Sequence, residues 1–163
     1  MPNGICGPDN ISTMHDPEHP KHIRNGYNSI SGTYDRRYEI NPLNGVAEAL
    51  CGLIAEIGAQ RVLEAGCGTG YWLKTLAPHA DWIVGLDLSA GMLSRALGLP
   101  GPVELVCGSA DSPPFAGSSF DLIFVVNALH HFVDKQGFIG QARRCAGGHR
   151  AGRSLSDRAL GNL

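Results

Sequence analysis

From Leu43 onward apolar residues recur at steps of three and four: Leu43, Val46, Ala47, Leu50, Leu53, Ile54 and Ile57. That is the spacing of one helix face, and Gly58 is placed to stop the helix. The period then changes. "RVLEA" (61–65) predicts a strand, followed by a glycine-rich turn and a helix through Leu73, Leu76 and Ala77. "WIVGLDL" (82–88) predicts a second strand, after which Ser89 caps a helix carrying Met92, Leu93, Ala96 and Leu97. Pro100 and Pro102 end that helix, and "VELVCG" (103–108) reads as a third strand. "SADSPPFAGSS" is a loop, and "FDLIFVVNAL" (120–129) reads as a fourth strand, buried on both faces. Asp134 opens a last helix with Phe138, Ile139, Ala142 and Cys145 on one side.

Strands alternating with helices predict right-handed crossovers and an α/β fold, a mostly parallel sheet between two layers of helices. Ligands in such folds bind beyond the carboxyl ends of the strands. The loops after Ala65, Leu88, Gly108 and Asn127 are therefore expected to face one crevice.

Outside this pattern, residues 1–26 are rich in Pro, Asn, His and Gly and carry no apolar signal-peptide core. They are expected to be a flexible leader, with the folded domain spanning 27–146. Tyr27 and Tyr34 lie seven residues apart and would share a face if that segment were helical. Residues 147–163 read as an atypical, disordered tail. No strand-like apolar run follows Gly148, and five of the ten arginines lie from Arg143 onward. A reading-frame change in a GC-rich gene would produce such a shift.

Composition narrows the class. With 163 residues, 43% hydrophobic and 17% charged, the chain is expected to be one globular domain. A net charge of -2 argues against a general binder of nucleic acid or membrane surfaces. No apolar run is long enough to span a bilayer, and a cytoplasmic location is expected. Five cysteines, an odd number with none spaced as CxxC, predict reduced thiols rather than a zinc site or a disulfide framework.

The chemistry starts at "VLEAGCGTGYWL" (62–73). The run Gly66–Gly70 is no P-loop, because GxxxxGK[ST] is absent. It also departs from GxGxxG, since Tyr71 stands where a third glycine would fall. Glycines there permit positive φ and let a ligand lie against backbone, and the turn feeds a helix N-terminus that offers bare N–H groups. Without a lysine, a nucleoside with an amino-acid tail suits it better than a polyphosphate. Asp87 ends the second strand about twenty residues later, where a carboxylate can accept both ribose hydroxyls; the alternative role is to cap the following helix. Asp111 can accept from an adenine amino group, with the N–H of Ala110 or Asp111 on a ring nitrogen; alternatively it makes an Asx turn before Pro113 and Pro114. Together these residues suggest a site for adenosine.

"VLEAGCGTG", "VGLDLSAGML", "CGSADSPPFAGSSFDLIFVVNALHHF" and "FIGQARR", four motifs in order from about Tyr27 to Arg144, resemble the class I S-adenosylmethionine-dependent methyltransferases, in the small-molecule group labelled type 11. The resemblance implies a Rossmann-like three-layer sandwich. It also implies that the last strands of the seven-stranded family sheet are missing, because "CAGGHRAGRSLSDRALGNL" stands where a fifth strand would follow. On the same grounds Glu64 and the loop of Gly66, Cys67, Gly68 and Gly70 would hold the methionine part of the cofactor and Asp87 the ribose. Leu88 and Met92 would flank an adenine read by Asp111 and Ala110. Asn127 would lie near the methyl donor, and Tyr34 would close over the cofactor.

The implied activity is methyl transfer from S-adenosylmethionine to a small molecule, which needs no metal and no covalent enzyme intermediate. The fourth strand ends "NALHH" rather than the Asn/Asp-Pro-Pro-Tyr of amino-group DNA methyltransferases, which argues against a base in DNA as acceptor. His130 and His131, just past that strand, are candidates for a general base or for local packing. Cys67 is expected to be a small residue under the cofactor rather than a nucleophile. An oxidoreductase using NAD, a cofactor-binding pseudo-enzyme and a non-functional fragment are the alternative readings. An edge of the fourth strand left open would be a site of aggregation.

Overall fold

The computed structural model describes residues 19–41 and 43–147. Most of the leader and nearly all of the tail defined above lie outside them. Four strands, β1 (Arg61–Ala65), β2 (Trp82–Asp87), β3 (Val103–Cys107) and β4 (Leu122–Phe124), form one sheet in the order β3-β2-β1-β4. Every pairing is parallel. The order reverses at β1, so a crevice opens where the chain leaves β1 on one side and β4 on the other.

Alternation along the strands divides the core. Val62 and Ile83 face one layer with Ile54, Trp72, Leu73 and Leu76, supplied by α3 (Asn44–Ile57) and α4 (Tyr71–Leu76). Leu93 of α5 (Ala90–Ala96) joins that layer. Leu63 and Val84 face the other with Phe120, Phe138 and Cys145, the last two from α6 (Lys135–Cys145). This is the expected three-layer sandwich. The local signals hold too. Gly58 ends α3 in the left-handed region at φ 62°, Ser89 accepts from the Met92 N–H at the start of α5, and Asp134 accepts from the Gly137 N–H at the start of α6.

Three expectations are corrected. The boundary placed at Gly26 falls inside a helix, α1 (His19–Ile30), which is followed by a short α2 (Arg36–Ile40). β4 is shorter than the predicted run 120–129, because its partner β1 ends at Ala65 and Asn127 turns the chain away at φ 56°. Cys107 is disulfide-bonded, against the expectation of reduced thiols throughout, whereas Cys51, Cys67 and Cys145 are free.

On the outer edge of β4 the described residues make a single parallel bridge, Phe120 to Ala146. The Phe120 N–H donates to the Cys145 carbonyl at 3.0 Å, and the Gly147 N–H donates back to Phe120 at 3.2 Å. No helix among the described residues is long and apolar enough to cross a membrane.

Candidate functional site

The glycine turn is built by φ. Gly66, Gly68 and Gly70 lie at 76°, 56° and 78°, a region that L side chains rarely adopt. The Gly66 and Cys67 N–H groups both donate to the Leu86 carbonyl, at 2.7 and 3.1 Å, which closes the turn over the end of β2. A Cβ on Gly66 would stand 2.4 Å from that of Ala128, and one on Gly70 would stand 2.7 Å from Leu99. Gly70 does not line the crevice; its positive φ and its packing against Leu99 and Ala96 together require a glycine there.

Asp87 ties the turn to its surroundings. Its Oδ2 accepts the Gly68 N–H at 2.7 Å and its Oδ1 the Ser89 N–H at 2.8 Å. The helix-entry contact leaves room for a ligand, since each carboxylate oxygen keeps a second lone pair. Burial pushes the Asp87 carboxyl up, and the Ser89 and Gly68 N–H groups oppose it.

These residues edge a cleft of about 850 Å³, its solvent-open mouth included. Of the sequence-predicted residues, Tyr34, Glu64, Gly66, Cys67, Gly68, Asp87, Leu88, Met92, Ala110, Asp111 and Asn127 all line it. Glu64 is 1% exposed, and its Oε2 has no hydrogen-bond partner among the described residues. Burial first, then the charge of Asp87, raise its carboxyl well above the ordinary value. An orphaned buried carboxyl oxygen is costly, and one that borders a cleft is complementary to a ligand N–H donor. Asp111 Oδ1 is likewise without a partner. Its carboxyl is raised by burial against the backbone N–H of Asp134. Cys67 is buried under the turn against Gly85, where a Cβ would meet its sulfur at 2.7 Å, and burial pushes its thiol well up. That environment suits a packed thiol rather than a nucleophile.

The far wall comes from α1, α2 and the segment after β4. Tyr34 stands over Gly68, with its Cε1 3.8 Å from where a Cβ would be. Its hydroxyl accepts from Arg37, whose guanidinium lies 4.7 Å from the Tyr34 ring. The Thr69 hydroxyl donates to Asp35 and so ties α2 to the turn. His131 lines the cleft, whereas His130 does not and packs beside it with ring centroids 3.8 Å apart. Sequence reasoning missed Ile23, Tyr38, Phe132 and Val133 as cleft residues. The spacing of Ile23, Tyr27 and Ile30 was the available signal, since these share one helix face.

Charge completes the picture. Among the described residues three carboxyls and no lysine or arginine line the cleft. Among the same residues, no cluster of three or more His, Cys, Asp or Glu side chains could hold a metal ion.

Comparison with known proteins fits this geometry. A family model described as a methyltransferase domain matches residues 63–149, and the chain belongs to that family. It is 34% identical over 105 residues to the biotin biosynthesis bifunctional protein BioHC of Cellvibrio japonicus, covering 64% of this chain and 21% of that protein. It is 37% identical over 95 residues to a demethylmenaquinone methyltransferase of Thermotoga maritima, covering 56% of this chain and 41% of the relative. The chain thus spans between a fifth and two fifths of the length of these two curated relatives. A solved structure, a DhpI–SAH complex, superposes with a TM-score of 0.68 at 26% identity, over 82% of this chain and 67% of that one.

Proposed function

We propose that the cleft binds S-adenosylmethionine and that the protein transfers its methyl group to a small-molecule acceptor. The observation that carries this reading is the acidic lining of the cleft. Among the described residues Glu64, Asp87 and Asp111 line it with no lysine or arginine, which suits a ligand bearing an ammonium and a sulfonium, whose positive charge favours ionised carboxyls, and opposes a dinucleotide's pyrophosphate. The family match further separates this reading from a nicotinamide oxidoreductase.

The bound cofactor supplies an activated methyl on a positive sulfur. The chain's residues then have separate tasks. The orphan Oε2 of Glu64 accepts from the ammonium of the amino-acid tail, which lies against the bare backbone of Gly66 and Gly68. Asp87 accepts from the ribose while holding the turn. Asp111 accepts from the adenine amino group, beside Leu88 and Met92. Tyr34, Phe132 and Val133 exclude water from the reacting end.

A small-molecule acceptor is supported by relatives such as the demethylmenaquinone methyltransferase. The absence of a nucleic-acid partner is supported by a net charge of -2. A cytoplasmic location belongs to the same reading, supported by the free thiols of Cys51, Cys67 and Cys145, with Cys107 the exception.

Calorimetric titration of the 163-residue chain with S-adenosylmethionine and S-adenosylhomocysteine tests the reading, with circular dichroism to establish folding. Saturable binding of both supports it. A folded chain that binds neither overturns it for this chain.

A further inference from the structure

Tyr27 of α1 and His131 of the turn after β4 meet at the cleft from distant parts of the chain. The Tyr27 Oη lies 2.5 Å from His131 Nε2, and the rings stand edge-on, with centroids 5.2 Å apart at 81°. Both residues line the cleft. Such a bond can place its proton on either atom, and basicity decides. An imidazole nitrogen is a far stronger acceptor than a phenol oxygen, and a phenol is the better donor. Burial favours the neutral form of each partner, raising Tyr27 and lowering His131. The charged and titratable neighbours leave that assignment in place. Arg37 from α2 lowers Tyr27, Asp87 from β2 raises it, and His130 in the same turn lowers His131 further. The phenol therefore donates to Nε2, and the imidazole keeps its proton on Nδ1.

We propose that Tyr27 is a positioning residue for His131: it holds the imidazole as the neutral Nδ1–H tautomer with its Nε2 lone pair covered, so that a hydrogen-bonded pair, and not a free imidazole, faces an acceptor in the cleft. Only the word acceptor rests on the methyltransferase reading; the pairing rests on the geometry. Because Nε2 is occupied, direct proton abstraction by that nitrogen is closed while Tyr27 is in place. The phenol oxygen is then the polar atom offered at this wall. The pair also joins α1 to the segment after β4 across the mouth of the cleft.

Two measurements on the full chain test this without an acceptor. Long-range proton–nitrogen spectra of chain labelled with ¹⁵N-histidine, assigned with His131→Asn, read the tautomer directly. The wild type is expected to show His131 as Nδ1–H, titrating below the ordinary imidazole range. Tyr27→Phe is expected to move it toward Nε2–H and to raise its pKa. A wild-type His131 that is predominantly Nε2–H overturns the proposal even if the variant fails to fold, and so does a tautomer unchanged in a folded Tyr27→Phe. Diethyl pyrocarbonate, which acylates a neutral imidazole at an available nitrogen, gives an independent readout by peptide mass. Modification of His131, referenced to exposed His130, is expected to be several-fold slower in the wild type than in Tyr27→Phe, and equal rates count against the covered lone pair. Failure of S-adenosylhomocysteine to bind would sink the methyltransferase reading and leave the tautomer result standing.

Discussion

The Gly68 N–H donates to Asp87 Oδ2 at 2.7 Å, so the residue that ends β2 fixes the turn that follows β1. The other oxygen of the same carboxylate accepts the Ser89 N–H at the entry to α5. One side chain thereby sets the relative position of three segments that border the cleft.

Asp87→Ala removes both acceptors. Hydrogen bonds to a charged group contribute roughly 1.5–3 kcal/mol each, so the turn loosens and the proposed ribose contact is lost. Affinity for S-adenosylhomocysteine is expected to fall at least about tenfold, equivalent to roughly 1.4 kcal/mol, by calorimetry. Undiminished affinity would remove Asp87 from the binding site.

Gly66→Ala places a Cβ 2.4 Å from that of Ala128, at φ 76°. Overpacking costs roughly 1–3 kcal/mol, and a positive φ adds about 1–2 kcal/mol for a residue with a Cβ. A lower denaturation midpoint and weaker cofactor binding are both expected. A variant as stable as the wild type would mean that Ala128 and Phe132 yield freely.

Glu64 gives a pH dependence whose sign is fixed. Its carboxyl is held well above the ordinary value of 4.5, so between that value and the folded-state value the folded chain keeps a proton that the unfolded chain releases. Stability of the ligand-free chain therefore falls as pH rises through this window. Asp87 shifts in the same direction, so the comparison with Glu64→Gln isolates Glu64. The melting temperature of the wild type should drop relative to Glu64→Gln as pH rises above about 4.5. Parallel curves would show that Glu64 ionises freely in the folded chain.

Ser89→Ala tests the join between α1 and α5. The Ser89 hydroxyl accepts the Met92 N–H at 3.1 Å and donates to Asn28 Oδ1 at 2.6 Å. Loss of the cap is expected to cost about 1 kcal/mol, read from urea denaturation. Asn28→Ala should cost less, because Ser89 keeps its cap on α5. The reverse order would mean that α1 depends on Asn28 more than α5 depends on its cap.

The site was legible where its chemistry is local. Glycines at 66, 68 and 70 announce positive φ, and Ser89 and Asp134 announce helix entries, because each side chain or its absence acts within a few residues. Asp87 was legible from its place at a strand end. α1 was not legible. "HPKHIRNGYNSI" carries Gly26, a poor helix former, in its interior. The helix is anchored instead by distant partners, Asn28 on Ser89 and Tyr27 on His131. Short helices in general draw more stability from such packing than from propensity.

The sequence by itself determined the period changes, hence strands alternating with helices, the glycine turn and the acidic residues that follow the strands. Only the tertiary structure decided that β4 lies beside β1, that Gly70 serves packing rather than the cleft, and that His131 rather than His130 faces it. The reason is range. Propensity and capping act over a few neighbouring residues, whereas burial, a shared cleft and a bond between residues 27 and 131 exist only once the sheet has brought distant segments together.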